Sequence, residues 1–187
     1  MSRYHLFETA HGHAAIAWDM RFVIGFRLPA PTPAEARRAL LRRFPDAQEA
    51  SPPPAIAAVV AAAQRYFQGE PIDFADVPLD LGPQDPLFAK IYDLVRRLGY
   101  GETVTYGAVA KALGEGPEVA RDVGQAMARN PIPLIVPCHR VLAAGGRIGG
   151  FSAPGGSSAK ERMLELEGVR PEPAASRTSP TQASFGF

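Results

Sequence analysis

The chain has 187 residues, of which 46% are hydrophobic and 21% are charged, and its formal net charge at pH 7 is +1. This length accommodates one or two compact domains with an apolar core. The near-neutral charge is unlike that of a strongly basic nucleic-acid binder, so any contact with DNA must depend on local placement of charge. No apolar run is long enough to span a membrane, and the first residues lack the pattern of a secretory signal.

In the first 82 residues, the pattern of apolar residues and turn signals predicts three short strands followed by two helices. The strands are predicted at 4–9, 14–18 and 21–28, and the second helix at 55–67. Thr32 can cap the first helix, with Pro33 in its first turn and Glu35 completing a capping box. Residues 70–84 are rich in Pro, Asp and Gly and are interpreted as a linker between two domains.

The second half has a denser series of helix signals. Asp85 and Pro86 begin one helix, and Thr105 can cap a short one. The short helix (106–113) and the next (118–128) are separated by a Gly-rich turn, which predicts a helix-turn-helix. The remaining predictions are a buried strand at 134–136, a Gly-rich loop at 145–156, and a last helix capped by Ser158 with Glu161 and ended by Gly168.

These elements predict an α/β chain with two domains. Residues 1–82 are expected to form a small antiparallel sheet with helices. Residues 83–170 are expected to be mainly helical, with a short two-stranded element and a winged-helix-like helix-turn-helix. The Pro/Ser/Thr-rich residues 171–187 are expected to be a disordered tail.

Cys138 is the only cysteine, so no disulfide can form within the chain. The four histidines, His5, His11, His13 and His139, do not have the spacing of a zinc site. A single free thiol suits a reducing compartment, and we expect a cytoplasmic protein that is a monomer and holds no metal ion.

The segment with the clearest chemistry is Pro137-Cys138-His139-Arg140-Val141. A cysteine that accepts a transferred group must react as the thiolate, and a nearby base can supply that form. A Cys-His pair by itself is more often a buried apolar residue beside a surface histidine. Its wider sequence context therefore decides how the pair is interpreted.

That context resembles the O6-alkylguanine-DNA alkyltransferase (methylated-DNA–protein-cysteine methyltransferase) family over about residues 85–170. The matching motifs occur in the family's order and at its spacing. They are Thr105-Tyr106-Gly107, Ala120-Arg121-Asp122-Val123-Gly124, Arg129-Asn130-Pro131, Pro137-Cys138-His139-Arg140-Val141, Gly150-Phe151-Ser152 and Leu166-Glu167-Gly168. The first 80 residues resemble the family's N-terminal domain only loosely.

The resemblance implies that the chain repairs DNA by irreversible transfer of an alkyl group from O6 of guanine to Cys138, without a cofactor. Glu167 would orient His139, and His139 would deprotonate Cys138 through a bridging water, which extends the logic of a catalytic triad. Asn130 would be a hinge whose side chain bonds the backbone on both sides. Tyr106 would donate a proton or hydrogen bond to guanine N3.

The same resemblance implies a partner, double-stranded DNA approached through its minor groove. Arg121 would enter the base stack and replace the flipped nucleotide. The other residues implied to contact DNA or the flipped base are the carbonyls of Val141 and Cys138, Ser152, the wall residues Met127 and Phe151, and the small residues Ala120 and Gly124 of the recognition helix.

Three features depart from the family pattern. Asp122 stands where a small residue is usual, and with Glu118 it adds negative charge on the side expected to face DNA. Phe151 replaces a common Tyr, so only its ring remains available. The zinc ligands that some relatives carry near the N-terminus have no counterpart.

Three alternatives are weighed against alkyl transfer. A lesion-binding protein without transfer would lack the acceptor cysteine, commonly having Trp there, so Cys138 argues against it. A cysteine hydrolase would need an oxyanion hole, which no motif predicts. A DNA-binding regulator is disfavoured by the near-neutral charge and by the lack of a dimerisation segment.

Overall fold

A computed structural model describes residues 1–149 and 156–171. These residues form a mixed α/β fold with one four-stranded sheet, one two-stranded sheet and six α-helices. The strands are β1 (Arg3–Thr9), β2 (Gly12–Asp19), β3 (Phe22–Ala30), β4 (Gln48–Glu49), β5 (Val104–Thr105) and β6 (Val141–Leu142). The helices are α1 (Pro33–Leu41), α2 (Pro54–Phe67), α3 (Pro86–Val95), α4 (Tyr106–Ala112), α5 (Ala120–Ala128) and α6 (Gly156–Leu166).

The larger sheet has the order β3-β2-β1-β4, with antiparallel pairing from β3 to β1 and a parallel pairing of β4 with β1. Successive side chains of β2 enter different cores because side chains alternate across a strand. Ile16 and Trp18 face a core shared with α2 and the second half of the chain. Ala15 and Ala17 face a smaller core covered by α1. Both faces of the predicted sheet are therefore buried.

Local capping signals place the helix starts correctly. The Thr32 side chain accepts from the Glu35 amide, and Glu35 accepts from the Thr32 amide, so the predicted capping box is present. Asp85 caps α3 by accepting from the Leu87 amide, and Thr105 caps α4 by accepting from the Ala108 amide. Each side chain satisfies an amide that lacks a partner within its own helix, and each cap therefore defines a helix start.

Residues 70–84 form no helix or named strand, but they are packed against the sheet. Leu79 makes an isolated parallel bridge with Val23, the first inward residue of β3. The Val23 amide donates to the Pro78 carbonyl at 2.9 Å, and the Asp80 amide donates to the Val23 carbonyl at 3.0 Å. Phe74 is buried in the larger core. The segment thus covers the β3 edge on its way to α3.

The short β5–β6 pair brings two distant parts of the second half together. Val104 pairs with Val141 and Thr105 with Leu142 in a parallel register. Since Tyr106 follows β5 directly, the start of α4 lies beside the segment that follows the cysteine motif. The predicted two-stranded element is present, although the strand predicted at 134–136 is not part of it.

The strand predicted at 134–136 is wrong. Leu134 has a φ of 74°, in the left-handed region, and only an isolated Pro133–Val136 bridge forms there. Pro131 and Pro133 have no amide hydrogen to donate to a ladder, which favours a tight buried turn. The apolar run Ile132–Val136 is still fully buried, so its hydrophobicity reflects core packing and not a strand.

Two helix starts also differ from prediction. A single 3₁₀ turn, Pro117–Val119, precedes α5, so the helix predicted from Glu118 begins at Ala120. Helix α6 begins at Gly156, so Ser158 lies inside it and is not its cap. Gly168 ends the last helix as predicted, with a φ of 76°. The predicted tail and most of the predicted 145–156 loop lie outside the described residues.

Within residues 1–149 and 156–171, no helix combines the length and apolar character that crossing a bilayer requires.

Candidate active site

Cys138 lies at the start of a 3₁₀ turn, Cys138–Arg140, between the buried 132–136 segment and β6. Its residue is 2% exposed, and its amide donates to the Val136 carbonyl at 2.8 Å. The thiol belongs to the larger apolar core, which also contains residues of the N-terminal sheet. A reactant must therefore enter a largely desolvated environment to meet it.

Asn130 braces the turn that carries Cys138. Its side-chain amide donates to the Val136 carbonyl at 2.8 Å, and its carbonyl oxygen accepts from the Ile132 amide at 3.0 Å. These two bonds join the end of α5 to both ends of the buried turn. The hinge role that the family resemblance implies for Asn130 stays a prediction.

Glu167 is the centre of a buried polar cluster behind the cysteine. Its Oε1 lies 2.7 Å from His139 Nε2, and Arg140 donates through Nη2 to Oε1 and through Nε to Oε2, each at 2.9 Å. The Gly101 amide donates to Oε2 at 3.0 Å, and the Tyr66 hydroxyl donates to Oε1 at 2.8 Å. Several charge-assisted bonds therefore hold one carboxylate in place.

The charge of this cluster is balanced without a protonated histidine. Burial alone would raise the pKa of Glu167, but hydrogen bonds from His139 and Arg140 outweigh it and hold that pKa well below the usual range. Burial lowers the pKa of His139, although Glu167 opposes the change. The ion pair is thus Arg140 with Glu167, and His139 is a neutral imidazole at neutral pH.

The tautomer of His139 follows from the same contacts. Nε2 faces the Glu167 carboxylate and carries the hydrogen, which leaves the lone pair on Nδ1. Nδ1 is buried and has no hydrogen-bond partner among the described residues. In this tautomer Nδ1 is the ring nitrogen that can accept a proton.

Burial raises the pKa of the Cys138 thiol, while the Asn130 side chain and the charge of Lys160 act to lower it. Lys160 is 1% exposed, and its ammonium donates to the Val141 carbonyl at 2.6 Å. The resting thiol is protonated, so reaction requires a base. Lys160 then favours the thiolate once it forms.

The buried ammonium of Lys160 should make stability depend on alkaline pH. Burial lowers its pKa to about 8, whereas the unfolded chain keeps a value of about 10.4. Between these values the unfolded state binds more protons, so the free energy of unfolding rises with pH. In a Cys138→Ser background, urea unfolding at about pH 7.5 and 9.5 should show this rise, on the order of 1 kcal/mol.

The same measurement on Cys138→Ser combined with Lys160→Met isolates the lysine, because the methionine cannot titrate. Lys111→Met on the exposed part of α4 is the matched control. If the lysine and methionine proteins show the same pH dependence, Lys160 is not the group responsible.

Tyr106 is the first residue of α4, and its side chain lies close to the backbone of Gly149. A Cβ added at Gly149 would lie 2.3 Å from the Tyr106 hydroxyl, and one added at Gly124 would lie 4.0 Å from the ring. Only glycine therefore allows the backbone at 149 to approach the phenol so closely. Burial raises the pKa of Tyr106, and the nearby Cys138 raises it further, so the phenol remains a proton donor at neutral pH.

Four of the residues predicted to contact DNA or the flipped base lie along α5. Arg121 is exposed at its start, Ala120 and Gly124 are half-buried, and Met127 is buried in the larger core. Among the described residues, neither Arg121 nor Asp122 belongs to an ion pair, so the negative charge of Asp122 is not neutralised by a neighbouring arginine. Phe151 and Ser152, predicted to contact the base, lie outside the described residues, as does Gly150.

The structure adds three polar residues that sequence reasoning did not assign to the site. The cysteine motif contains Arg140 but implies no role for it, and none of the family motifs contains Tyr66 or Lys160. Lys160 has a recognisable signal, because it precedes Glu167 by seven residues, a spacing of about two helical turns. Tyr66 has no sequence signal that links it to the site. It belongs to the apolar stripe of α2 and lies 101 positions from Glu167.

Within the described residues, no three His, Cys, Asp or Glu side chains lie close enough to hold a metal ion.

The fold and the site together define a protein with one buried thiol and, directly after it in the chain, a histidine that contacts a buried carboxylate. Residues 86–169 match the family model for the 6-O-methylguanine DNA methyltransferase DNA-binding domain. A methylated-DNA–protein-cysteine methyltransferase of Methanopyrus kandleri is 45% identical over 108 residues, which are 58% of this chain and 77% of that protein. The chain belongs to this methyltransferase family.

Two further comparisons cover different parts of the chain. The crystal structure of the Mycobacterium tuberculosis O6-methylguanine methyltransferase has a TM-score of 0.71 and 32% identity, covering 92% of this chain and 96% of that one. A Thermus thermophilus protein named DNA base-flipping protein is 44% identical over 108 residues, 58% of this chain and 70% of its own. The structural match therefore extends over both halves, including the N-terminal sheet.

Proposed function

We propose that this protein repairs DNA by transferring an alkyl group from O6 of a flipped guanine to Cys138. The observation that carries the proposal is the buried Cys138 turn backed by the His139–Glu167–Arg140 cluster. A neutral, oriented imidazole beside a protonated thiol is the arrangement that nucleophilic transfer requires. The M. tuberculosis OGT, whose structure in complex with DNA has a TM-score of 0.70 and 31% identity over 88% of this chain and 92% of that one, supports DNA as the partner.

In the transfer step, His139 Nδ1 takes the thiol proton, through a bridging water, and the Cys138 sulfur attacks the alkyl carbon. The sulfur–carbon bond forms as the bond between that carbon and guanine O6 breaks, and its electron pair stays with the base. The product is a thioether, which is chemically stable. Each molecule therefore acts once, and the reaction requires no cofactor.

The departing guanine gains negative charge, which Tyr106 is placed to offset. Its phenol remains protonated, so it can donate a hydrogen bond or a proton to N3 as the charge develops. The Val141 carbonyl accepts from Lys160 through one lone pair and has a second for the base edge. These roles, with those of Met127, Phe151 and Ser152 around the base, are part of the proposal.

We further propose that α4 and α5, which pack together, form a helix-turn-helix in a C-terminal domain of residues 83–170. Helix α5 would enter the minor groove with its small residues Ala120 and Gly124 towards the DNA. Arg121, exposed at the start of α5, would occupy the space of the flipped base. The N-terminal domain would comprise residues 1–82.

Arg121→Ala should slow repair of duplex DNA far more than reaction with the free base O6-methylguanine. Extruding a nucleotide costs a few kcal/mol, so loss of the replacing side chain should lower the duplex rate about 10- to 100-fold. The free base needs no extrusion, and its rate should stay within about twofold of wild type. Single-turnover rates with both substrates test this.

Arg38→Ala is the matched control, because Arg38 is an equally exposed helix arginine on α1. Equal losses with duplex and free base in Arg121→Ala would contradict the intercalating role.

The proposed activity is tested by intact-protein mass spectrometry after incubation with a duplex that contains one O6-methylguanine, followed by peptide mapping. Transfer predicts a mass gain of one methyl group on the Cys138 peptide, with guanine restored in the DNA. Tight lesion-specific binding without a mass gain would instead support a non-transferring lesion binder. If there is neither a mass gain nor lesion binding, we conclude that Asp122 and Glu118 prevent DNA binding.

A further inference from the structure

Tyr66 belongs to the N-terminal half, yet its hydroxyl reaches the cluster behind Cys138. It lies near the end of α2, is fully buried, and donates to Glu167 Oε1 at 2.8 Å. The same hydroxyl is 3.4 Å from His139 Nε2. Two groups of the site therefore meet one phenol contributed by a segment outside the matched DNA-binding domain.

Packing holds the Tyr66 ring in a single position. Its centroid lies 5.2 Å from that of Phe67, 6.2 Å from those of Phe74 and Tyr100, and 6.4 Å from that of His139, all in edge contacts. Such aromatic contacts add stability beyond the apolar area that they bury. The hydroxyl cannot leave Glu167 without disturbing this packing.

From these contacts we propose that Tyr66 is a positioning residue for the transfer reaction, through which the N-terminal half sets the orientation and basicity of His139. The inference rests on the proposed function. Tyr66 donates to the same oxygen that accepts from His139, so it removes part of that oxygen's negative charge. A phenol that cannot move also limits where the carboxylate, and with it the imidazole, can rotate.

The direction of the electrostatic effect follows from the hydrogen bond. Without the hydroxyl, Oε1 keeps more negative charge and favours the protonated imidazole more strongly. The titration of His139 should then move to higher pH, and less neutral base should remain in mildly acidic solution. Among the described residues, the other charged or titratable groups around this pair are Arg140, Tyr100, Lys160 and the Cys138 thiol, and a Tyr66→Phe substitution retains all of them.

Tyr66→Phe removes only the hydroxyl and keeps the packed ring, and the hydrogen bonds to Glu167 from His139, Arg140 and Gly101 remain. Tyr4→Phe is the matched control, because Tyr4 is also buried in the N-terminal half but faces the smaller core. Single-turnover transfer rates are measured from about pH 5 to pH 8. We expect Tyr66→Phe to be slower by about tenfold at the acid end, with a smaller loss at the alkaline end.

NMR titration of the His139 imidazole, assigned by its loss in His139→Asn, supplies a readout that does not depend on transfer. We expect the midpoint in Tyr66→Phe to rise by about 0.5 to 1 pH unit, with no change in Tyr4→Phe. A slower rate with an unchanged midpoint would overturn the proposal, since simple loss of packing produces that pattern. Rates and midpoint equal to those of Tyr4→Phe would overturn it as well.

Failure of the proposed function gives a different result, because the wild-type protein would then show no methyl transfer at all. The NMR midpoint would still decide whether Tyr66 acts on His139.

Discussion

Replacing Cys138 by serine should abolish methyl transfer completely while leaving lesion binding within about threefold of wild type. The serine hydroxyl is far less acidic than the thiol, and a neutral imidazole cannot generate an appreciable amount of its alkoxide. The substitution changes one buried atom and leaves α5 and the Asn130 brace intact, so the DNA-binding surface should keep its shape. Mass spectrometry measures transfer, and fluorescence anisotropy with methylated and unmodified duplexes measures binding.

Peptide mapping makes this result decisive. A methyl group found on any peptide of Cys138→Ser would identify another acceptor, and Cys138 would no longer be the site of transfer. Loss of lesion binding together with transfer would mean that the thiol also supports the fold of the pocket. Circular dichroism melting of the same preparation separates that case from a local effect on recognition.

Glu167→Gln should cause the largest loss of stability among single substitutions at the site. The neutral amide leaves the buried Arg140 guanidinium without its counter-charge, and breaking such a pair costs about 3–5 kcal/mol. The amide can also hold His139 in the wrong tautomer, so transfer should slow by at least about 100-fold. Urea unfolding and single-turnover rates measure the two effects.

The stability difference should also depend on pH in a defined direction. The pKa of Glu167 lies well below its usual range in the folded state, so its stabilising effect is complete above about pH 5 and declines as the pH falls through the unfolded-state value of about 4.3 towards the folded value. Wild type and Glu167→Gln should therefore approach each other in stability as the solution becomes more acidic.

Glu165→Gln is the matched control, because Glu165 is exposed near the end of α6, two residues before Glu167, and has no ion pair among the described residues. It should unfold within about 0.5 kcal/mol of wild type at every pH. A Glu167→Gln protein as stable as this control would mean that the buried network contributes nothing to the fold.

Much of the fold could be predicted because its signals are local. The caps at Thr32, Asp85 and Thr105 depend on side chains within three residues of the amides that they bind, and all three were predicted from sequence. The three N-terminal strands were found within two residues of their observed ends. Segments with strong local preferences need no knowledge of their tertiary neighbours.

Predictions were wrong where several local structures fit the same residues. The apolar run ending at Val136 has the composition of a buried strand, but a left-handed Leu134 turns it into a compact loop. Apolar periodicity cannot distinguish these outcomes, since both bury the same side chains. Ser158 likewise has the sequence of a cap, although α6 begins two residues earlier.

By itself, the sequence determined the family to which the chain belongs. The motifs around Cys138 carry a resemblance to the alkyltransferase family, and that resemblance predicts Cys138 as the nucleophile, His139 as its base and Glu167 as the orienting carboxylate. What only the tertiary structure decided is the environment of these groups. Tyr66 and Lys160 reach the site from elements distant in sequence, and their effect depends on burial, which local sequence does not specify because the packed chain creates it.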